Sequence, residues 1–426
     1  MTIPITADEF ATRMAGLGPF EPAPRLAAGV SGGADSMALA LLADAWARGC
    51  GGSVFALVVD HGLRPESAAE AALTIQRLAE RGIPGKLLRL ADLHHGPALA
   101  ERARIARYAA LRTACADRGI LNLLLGHHAA DQAETVLMRR QSGSGPAGLA
   151  AMPALSEQWG LRLLRPLLDI PPVRLRATLR AARLAWVEDP SNRDQHALRP
   201  RLRAGLDDPD GTGLTIAALC EAAGAAGAAR AARDAAIAES LAERAAIHPE
   251  GFALLSPGPI DPAALSALIQ TIGGSAFPPP ASSVAALAVA PHPATLAGVR
   301  LLTAGRLGHG LLLVREAAAM GPPVAARSGC IWDSRFRLAQ HAIPQEDTTI
   351  GALGADAARL RHWSSLPSAV LQTLPALRRA NSLVAVPHLL YPDSATSVAV
   401  PVVFSPPRPA AGATFLPVRE PGNNVC

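Results

Sequence analysis

Lysine is almost absent. Lys86 is the only one among 426 residues that carry 40 basic side chains, so nearly every cation is an arginine. A Walker A loop needs Gly-Lys-Ser/Thr and cannot be written with Gly85-Lys86-Leu87, and with a single lysine in the chain a Schiff-base enzyme is not expected. Any ATP chemistry must use another phosphate cradle. Cysteine is scarce as well: Cys50, Cys115, Cys220, Cys330 and Cys426 form no C-x-x-C pair. That excludes a disulfide framework, a zinc ribbon and an iron–sulfur site, and leaves reduced structural thiols. Aromatics are only 4% of the chain, so its cores must rest on Leu, Val and Ala. Pro or charge interrupts every apolar run before about 18 residues, and residues 1–10 lack a basic start followed by an apolar stretch. The expectation is a cytoplasmic protein with no membrane span.

At roughly 150 residues per domain, the length makes two or three domains with sizeable cores. The formal charge of +5 is unevenly spread: residues 1–205 hold 25 Lys+Arg and 19 Asp+Glu, residues 206–426 hold 15 and 16. The basic surface therefore belongs to the first half. Ten arginines against four acids over 162–203 suit a phosphate-rich polyanion, or equally a solvated helical face.

Short apolar runs at 26–30, 54–60, 86–90 and 120–125 alternate with helix-length amphipathic segments at 37–48, 67–81 and 97–118. Each segment is long enough for a right-handed crossover, so the expected fold is α/β with a Rossmann-like parallel sheet. Ligands of such sheets bind beyond the strand C-termini. Residues 207–213, Asp-Asp-Pro-Asp-Gly-Thr-Gly, read as a linker, and the Ala-rich stretch after them as helix. A helix at 262–272 and hairpin strands near 299–302 and 310–314 predict a small helical or α+β domain. From 317 onward short Val/Leu runs separated by Pro and Gly predict a strand-rich domain. The expected domains are 1–205, 206–316 and 317–426.

Directly after the first strand stands Ser31-Gly32-Gly33-Ala34-Asp35-Ser36, which runs straight into a helix. Strand, glycine turn and helix N-terminus are what a phosphate site requires. The glycines allow close approach, successive N–H groups point at the anion, and the helix dipole adds positive potential. Ser31 and Ser36 add hydroxyl donors. Asp35 would repel phosphate unless it caps the helix or meets the phosphate through Mg²⁺.

The second strand ends at Asp60, followed by His61 and Arg64; an acid there reaches a nucleotide or closes a strand-end turn. The fourth strand is followed by Gly126-His127-His128, then Asp131 and Glu134. With a helix starting near Ala129, these two acids share one face at the C-terminal edge of the sheet. They suit Mg²⁺ or a cationic substrate, or are first-turn acids favoured by the helix dipole. Adjacent histidines without cysteine partners position phosphate or a carboxylate rather than zinc. Arg104, Arg107 and Tyr108, at helical spacing, make a face toward RNA or ATP, or an ordinary amphipathic helix. Trp186 packs a helix against the sheet, with Asp189 or Ser191 capping the next helix.

The 31–36 motif resembles the PP-loop ATP pyrophosphatases, whose Ser-Gly-Gly-x-Asp-Ser signature binds the pyrophosphate of ATP and whose members adenylate a substrate oxygen. Val59-Asp60-His61-Gly62-Leu63-Arg64, Leu125-Gly126-His127-His128, Asp131-Gln132-Ala133-Glu134-Thr135, Arg165-Pro166-Leu167-Leu168 and the 186–192 segment extend the likeness over about residues 25–205. Together they narrow it to the tRNA(Ile)-lysidine synthetase family, with a weaker likeness at 294–298 and 374–377. One departure is Leu198-Arg199-Pro200-Arg201-Leu202-Arg203, where the family has an Arg-Asn-x-Ile-Arg helix start; proline can open a helix at its first position.

The resemblance implies ligation of L-lysine to C2 of the wobble cytidine of tRNA(Ile) with a CAU anticodon. The reaction would use ATP and Mg²⁺, pass through an adenylated intermediate, and release AMP and pyrophosphate. ATP contacts would fall to Ser31, Gly32, Gly33, Ala34, Asp35, Ser36 and Asp60, and catalysis to Asp35, His127, Asp131 and Glu134. Mg²⁺ would lie on Asp35 and Asp131, lysine on Glu134 and Asp131, and tRNA on Arg104, Arg107, Arg199, Arg201 and Arg203. No protein partner is expected. A tRNA thiolase would carry closely spaced cysteines. A glutamine-dependent synthetase would need an amidotransferase domain, for which a loop at residue 31 leaves no room upstream. A non-catalytic ATP- or RNA-binding protein would keep the loop and the basic stripe but need no lysine pocket.

Overall fold

The structure is a computed structural model. It describes residues 2–90, 93, 96, 98–158, 160–188, 198–339, 344–392, 401–412 and 415–416, and only the backbone at 198–200 and 204. The Arg199 side chain, the 189–192 motif with its caps Asp189 and Ser191, and His94 and His95 lie outside the described residues. The chain divides into two compact units, one of residues 1–232 with 413–426 and one of residues 233–412.

The first unit runs α1 (Ala7–Ala15), β1 (Arg25–Val30), α2 (Ala34–Gly49), β2 (Ser53–Asp60), α3 (Ser67–Ala79), β3 (Gly85–Arg89), α4 (Leu99–Ala116), β4 (Asn122–Leu125), α5 (Ala129–Gln141), α6 (Pro146–Leu149), β5 (Leu155–Gln158), β6 (Leu161–Leu164), α7 (Pro172–Ala181), α8 (Leu198–Leu206) and α9 (Leu214–Arg244), within which the division falls. Its sheet has the order β3-β2-β1-β4-β6-β5. All pairings are parallel except that of the edge strand β5 with β6. The four expected strands are present, and β6 and β5 extend the sheet beyond them.

Both faces of the sheet are covered, as a parallel sheet demands. On β1, Leu26, Ala28 and Val30 pack with Met37 and Leu39 of α2 and Phe10 and Met14 of α1. Ala27 points the other way, into a core with Leu57, Leu111, Leu123 and Leu125. That period of two explains why the strands read as continuous apolar runs.

Two glycines let the loops meet at the C-terminal edge. Gly32 has φ +89°, and a Cβ there would lie 2.5 Å from Thr74 Oγ1. A Cβ on Gly126, just past β4, would come within 3.1 Å of the Asp35 carbonyl and Ser36 Cα.

Part of the basic 162–203 stretch is drawn into internal ties rather than displayed as a polyanion surface. Arg162 donates to Leu17 O, Pro19 O and Asn122 Oδ1; the buried Arg165 donates to Pro153 O and Ser156 Oγ. Arg174 pairs with Glu9 and Arg176 with Asp210. A guanidinium carries five donors in a rigid fork, and with one lysine in the chain these arginines serve as the internal ties. Pro200 sits in the first turn of α8, where its missing N–H costs no helical bond. The 207–213 segment is a turn inside the first unit, Asp208 accepting from the N–H groups of Gly211, Thr212 and Gly213.

In the second unit, β7 (Ala245–Ile247), β8 (Ala253–Leu255), β9 (Ala294–Leu296), β10 (Val299–Thr303) and β11 (Leu311–Arg315) form an antiparallel sheet ordered β7-β8-β11-β10-β9. It packs with α10 (Pro262–Gly273) and α11 (Ala281–Val289). Asp261 caps α10 through the N–H groups of Ala263 and Ala264, and Gly274 ends it in the left-handed region. A four-stranded and a three-stranded antiparallel sheet follow between 324 and 404, the strand-rich end that was expected. No helix among the described residues is long and apolar enough to cross a membrane.

Gly32→Ala should destabilise the first unit by about 2 kcal/mol, measured by denaturant unfolding. Adding Thr74→Ala should recover part of that loss; no recovery would assign the whole effect to the backbone.

Candidate active site

The C-terminal ends of β1, β2 and β4 converge. After β1 the chain folds back on the first turn of α2. Ser31 N–H donates to Ser36 Oγ at 3.1 Å, the two hydroxyl oxygens lie 3.1 Å apart, and Ser36 Oγ donates to Gly33 O at 3.0 Å. Gly33 precedes the helix and supplies no side-chain cap, so the N-terminal N–H groups keep their donor capacity for an anion. Asp35 stands in the first turn and is not the cap, which removes the capping role that its position allowed.

The acids expected to share a face do so, and three charged elements meet on them. His128, immediately before α5, donates its backbone N–H to Asp131 Oδ2 at 3.1 Å. Its Nε2 lies 3.4 Å from Asp35 Oδ2 and 3.6 Å from Asp131 Oδ2. From α8, Arg203 donates through Nη2 to Asp131 Oδ1 at 3.2 Å and through Nε to Glu134 Oε1. Glu134 is only 1% exposed. Burial pushes the His128 imidazole down, but the Asp131 and Asp35 carboxylates outweigh it and hold its pKa above the ordinary value. Burial likewise works to raise Asp131, and His128, His127 and Arg203 together hold it below the usual carboxylate range.

The sequence pointed to His127 as the site histidine, yet the imidazole that reaches both carboxylates is that of its neighbour. Adjacent residues at a strand-to-helix junction point in different directions, and the one signal for His128 was its place just before a helix starting at Ala129. Arg203, read as a tRNA contact, lies on the two acids.

Beside the phosphate loop opens a cavity of about 410 Å³, with Val30, Ser31, Asp60, His61, Arg64 and Arg107 among its walls. Asp60 closes the strand-end turn, its Oδ1 accepting from Gly62 N–H at 2.9 Å and Ser67 Oγ at 2.7 Å, and the residue also lines the cavity. Arg64 pairs with Glu70 at 2.8 Å. Helix α4 presents two stripes. Ala103, Arg107 and Leu111 face this cavity, whereas Arg104, Tyr108 and Arg112 line an outer cleft of about 240 Å³. Arg104 lies 5.2 Å over the Tyr108 ring. Arg104 and Arg107, read together from their spacing, are thus on different faces. Arg201 is exposed on α8.

His128 should titrate above its ordinary 6.5, and Asp35→Asn should lower that midpoint, as followed by imidazole NMR. With the folded value raised, the stabilisation from charged His128 is complete below about pH 6.5 and is lost as pH rises through the folded pKa. The contribution of Asp131, depressed from 3.8, is present above that value and lost as pH falls through the folded one.

A family model described as the PP-loop domain matches residues 6–208. A tRNA(Ile)-lysidine synthase from a Bradyrhizobium species is 47% identical over 204 residues, covering 47% of this chain and 56% of that protein. The first relatives of this kind are therefore spanned over only about half their length. The tRNA(Ile)-lysidine synthase of Mesorhizobium japonicum is 36% identical over 350 residues, 78% of this chain and 76% of that one. That of Ruegeria pomeroyi is 35% identical over 383 residues, 86% of this chain and 89% of the relative. With similarity of that extent reaching well past the PP-loop domain, the chain belongs to the tRNA(Ile)-lysidine synthase family.

Proposed function

We propose that the protein ligates L-lysine to C2 of the wobble cytidine in tRNA(Ile) with a CAU anticodon, using ATP and Mg²⁺ and releasing AMP and pyrophosphate. The observation that carries this reading is the seat formed by Glu134 and Asp131. It holds a guanidinium beside Asp35 and the phosphate loop, so a cation-binding pocket adjoins a nucleotide site. A lysine ammonium would take the place of Arg203 there, with Glu134 as its main anchor and Asp131 shared with the metal.

The chemistry follows from the leaving group. A carbonyl oxygen on cytosine departs poorly, so O2 first bonds to the α-phosphorus as the bond to pyrophosphate breaks. The ε-amine, having given up a proton, then bonds to C2 as the C2–O bond breaks and AMP leaves. The N–H groups around Ser31 to Ser36 would stabilise charge on the departing pyrophosphate. No group of three or more His, Cys, Asp or Glu side chains able to cage a metal occurs among the described residues. Mg²⁺ carried by a nucleotide asks for only one or two carboxylates besides phosphates and water, and Asp35 and Asp131, both within 3.6 Å of one His128 nitrogen, match that requirement. Bound there, it would neutralise developing phosphate charge. His127 would assist at the same edge.

Exposed Arg201 and Arg104, the latter over the half-buried Tyr108 ring, would supply cationic and aromatic contacts for the tRNA, and Arg199 is kept as a tRNA contact on the resemblance alone. The strand-rich part from 317 onward would read tRNA shape, and the reaction would run in the cytoplasm with no protein partner.

The test is incorporation of radiolabelled lysine into a tRNA(Ile) transcript with a CAU anticodon, against a methionine tRNA and a reaction without ATP. Label is expected only in the complete tRNA(Ile) reaction; none from folded, ATP-binding protein would sink the lysine assignment. Asp35→Ala should lower product formation by roughly 100-fold or more with tRNA binding retained. Glu134→Gln should raise the KM for lysine about tenfold or more while leaving that for ATP nearly unchanged.

A further inference from the structure

The stretch between α6 and β5 forms no helix or strand of its own, so bonds from other parts of the first unit fix where it lies. Gln132, buried on α5 one residue past Asp131, spends its whole side-chain amide on a single backbone residue there. Its Nε2 donates to Met152 O at 2.9 Å and its Oε1 accepts from Met152 N–H at 3.0 Å. From the end of β6, Arg165 N–H donates to Ala154 O at 2.8 Å. A third hold comes from more than 250 residues later. Ala154 N–H donates to Leu416 O at 2.9 Å, and Leu416 packs on the same core as Met152. The buried Phe415 ring lies 4.7 Å from Cζ of Arg230 on α9, and Arg230 donates to Ala147 O of α6 at 3.3 Å. The chain passes between its two units twice, within α9 and after Gly412, and residues beside both passages hold this stretch. A side-chain bridge fixes a helix only as firmly as the backbone it grips. Without the Leu416 carbonyl, the buried Ala154 would lose the acceptor of its N–H, which is costly for a buried donor. The resulting shift would pass through Met152 to Gln132, and so to the first turn of α5 that carries Asp131.

We propose that Phe415 and Leu416 form a strap that positions Asp131 and Glu134 through Ala154, Met152 and Gln132, so that chain returning from beyond residue 412 helps to set the cation seat. Phe415, Leu416 and Gln132 are positioning residues and act only through the acids. The consequence for lysine binding rests on the ligation reading above; the mechanical link from strap to helix does not.

The experiment follows the full chain by native-state hydrogen exchange and by steady-state lysine labelling, in wild type, Phe415→Ala, Phe415→Leu, Gln132→Ala and the Phe415→Ala/Gln132→Ala double variant. Phe415→Ala should accelerate exchange of the Ala154 and Met152 amides roughly fivefold more than that of the β1 amides, and Phe415→Leu should recover part of the protection. The same Phe415→Ala variant should raise the KM for lysine roughly fivefold and that for ATP by less. Gln132→Ala should raise it at least as much, and the double variant should add little to Gln132→Ala alone, because both changes act on one route. Equal acceleration throughout the first unit, equal rises in the two KM values, or effects that add in full would each show a packing role alone and overturn the proposal. Unprotected exchange at Ala154 in the wild type would show that the strap is undocked, and would overturn it even where Phe415→Ala fails to fold. If the wild type labels no tRNA, the ligation reading falls and the exchange pattern alone decides the strap.

Discussion

Two carboxylates buried at the start of one helix must be neutralised, and much of the first unit is arranged around that requirement. An ionised carboxylate as enclosed as Glu134, 1% exposed, would cost several kcal/mol if left alone. Arg203 of α8 and His128 at the head of α5 meet this need, and through His128 the cluster also takes in Asp35 of α2. One charge network thus joins three helices that are far apart in sequence. With both cations protonated it sets three carboxylates against two positive charges, so it retains an excess negative charge. A cluster that is stable yet one cation short can accept a metal ion while keeping its own cations, whereas a lysine ammonium would displace Arg203 from the seat it occupies.

The sheet brings these helices together. Since β1 lies between β2 and β4, the phosphate loop after β1, the Asp60 turn after β2 and the acids after β4 open on one edge, where the strand order reverses. Contact at that edge needs backbones closer than side chains permit. Gly32 lies against Thr74, and Gly126 against the first turn of α2; each stands where a methyl group would separate the elements that form the site.

What could be read in advance follows from how local each signal is. The strand at 26–30 and the helix at 262–272 were legible because period and capping are written within one element, and the loop at 31–36 because its function is mostly backbone. The β6 strand was not. Leu161–Leu164 is a short run interrupted by Arg162, and only its pairing with β4 and the carbonyls that satisfy Arg162 make it a strand. The same limit applies to α4: a spacing of three put Arg104 and Arg107 on adjacent positions of a helix, but which side of that boundary faced the cavity depended on where the sheet lay. In 162–203, charge density suggested a surface, whereas the carbonyls and acids that take up Arg162 and Arg174 come from residues distant in the chain.

The near absence of lysine bears on the proposed specificity. If the seat at Glu134 and Asp131 receives a lysine side chain, Coulomb attraction alone cannot select it, because the chain already places an arginine there. The two cations differ in donor geometry. Arg203 spans the carboxylates with Nε on one and Nη2 on the other, a rigid fork that needs two separated donor atoms. An ammonium concentrates three donors on one nitrogen, so it can bridge both acids from a single point and approach more deeply on a narrower stem. Selection on this reading therefore lies in the geometry of the donors, while the charge of the seat sets only the affinity for cations as a class.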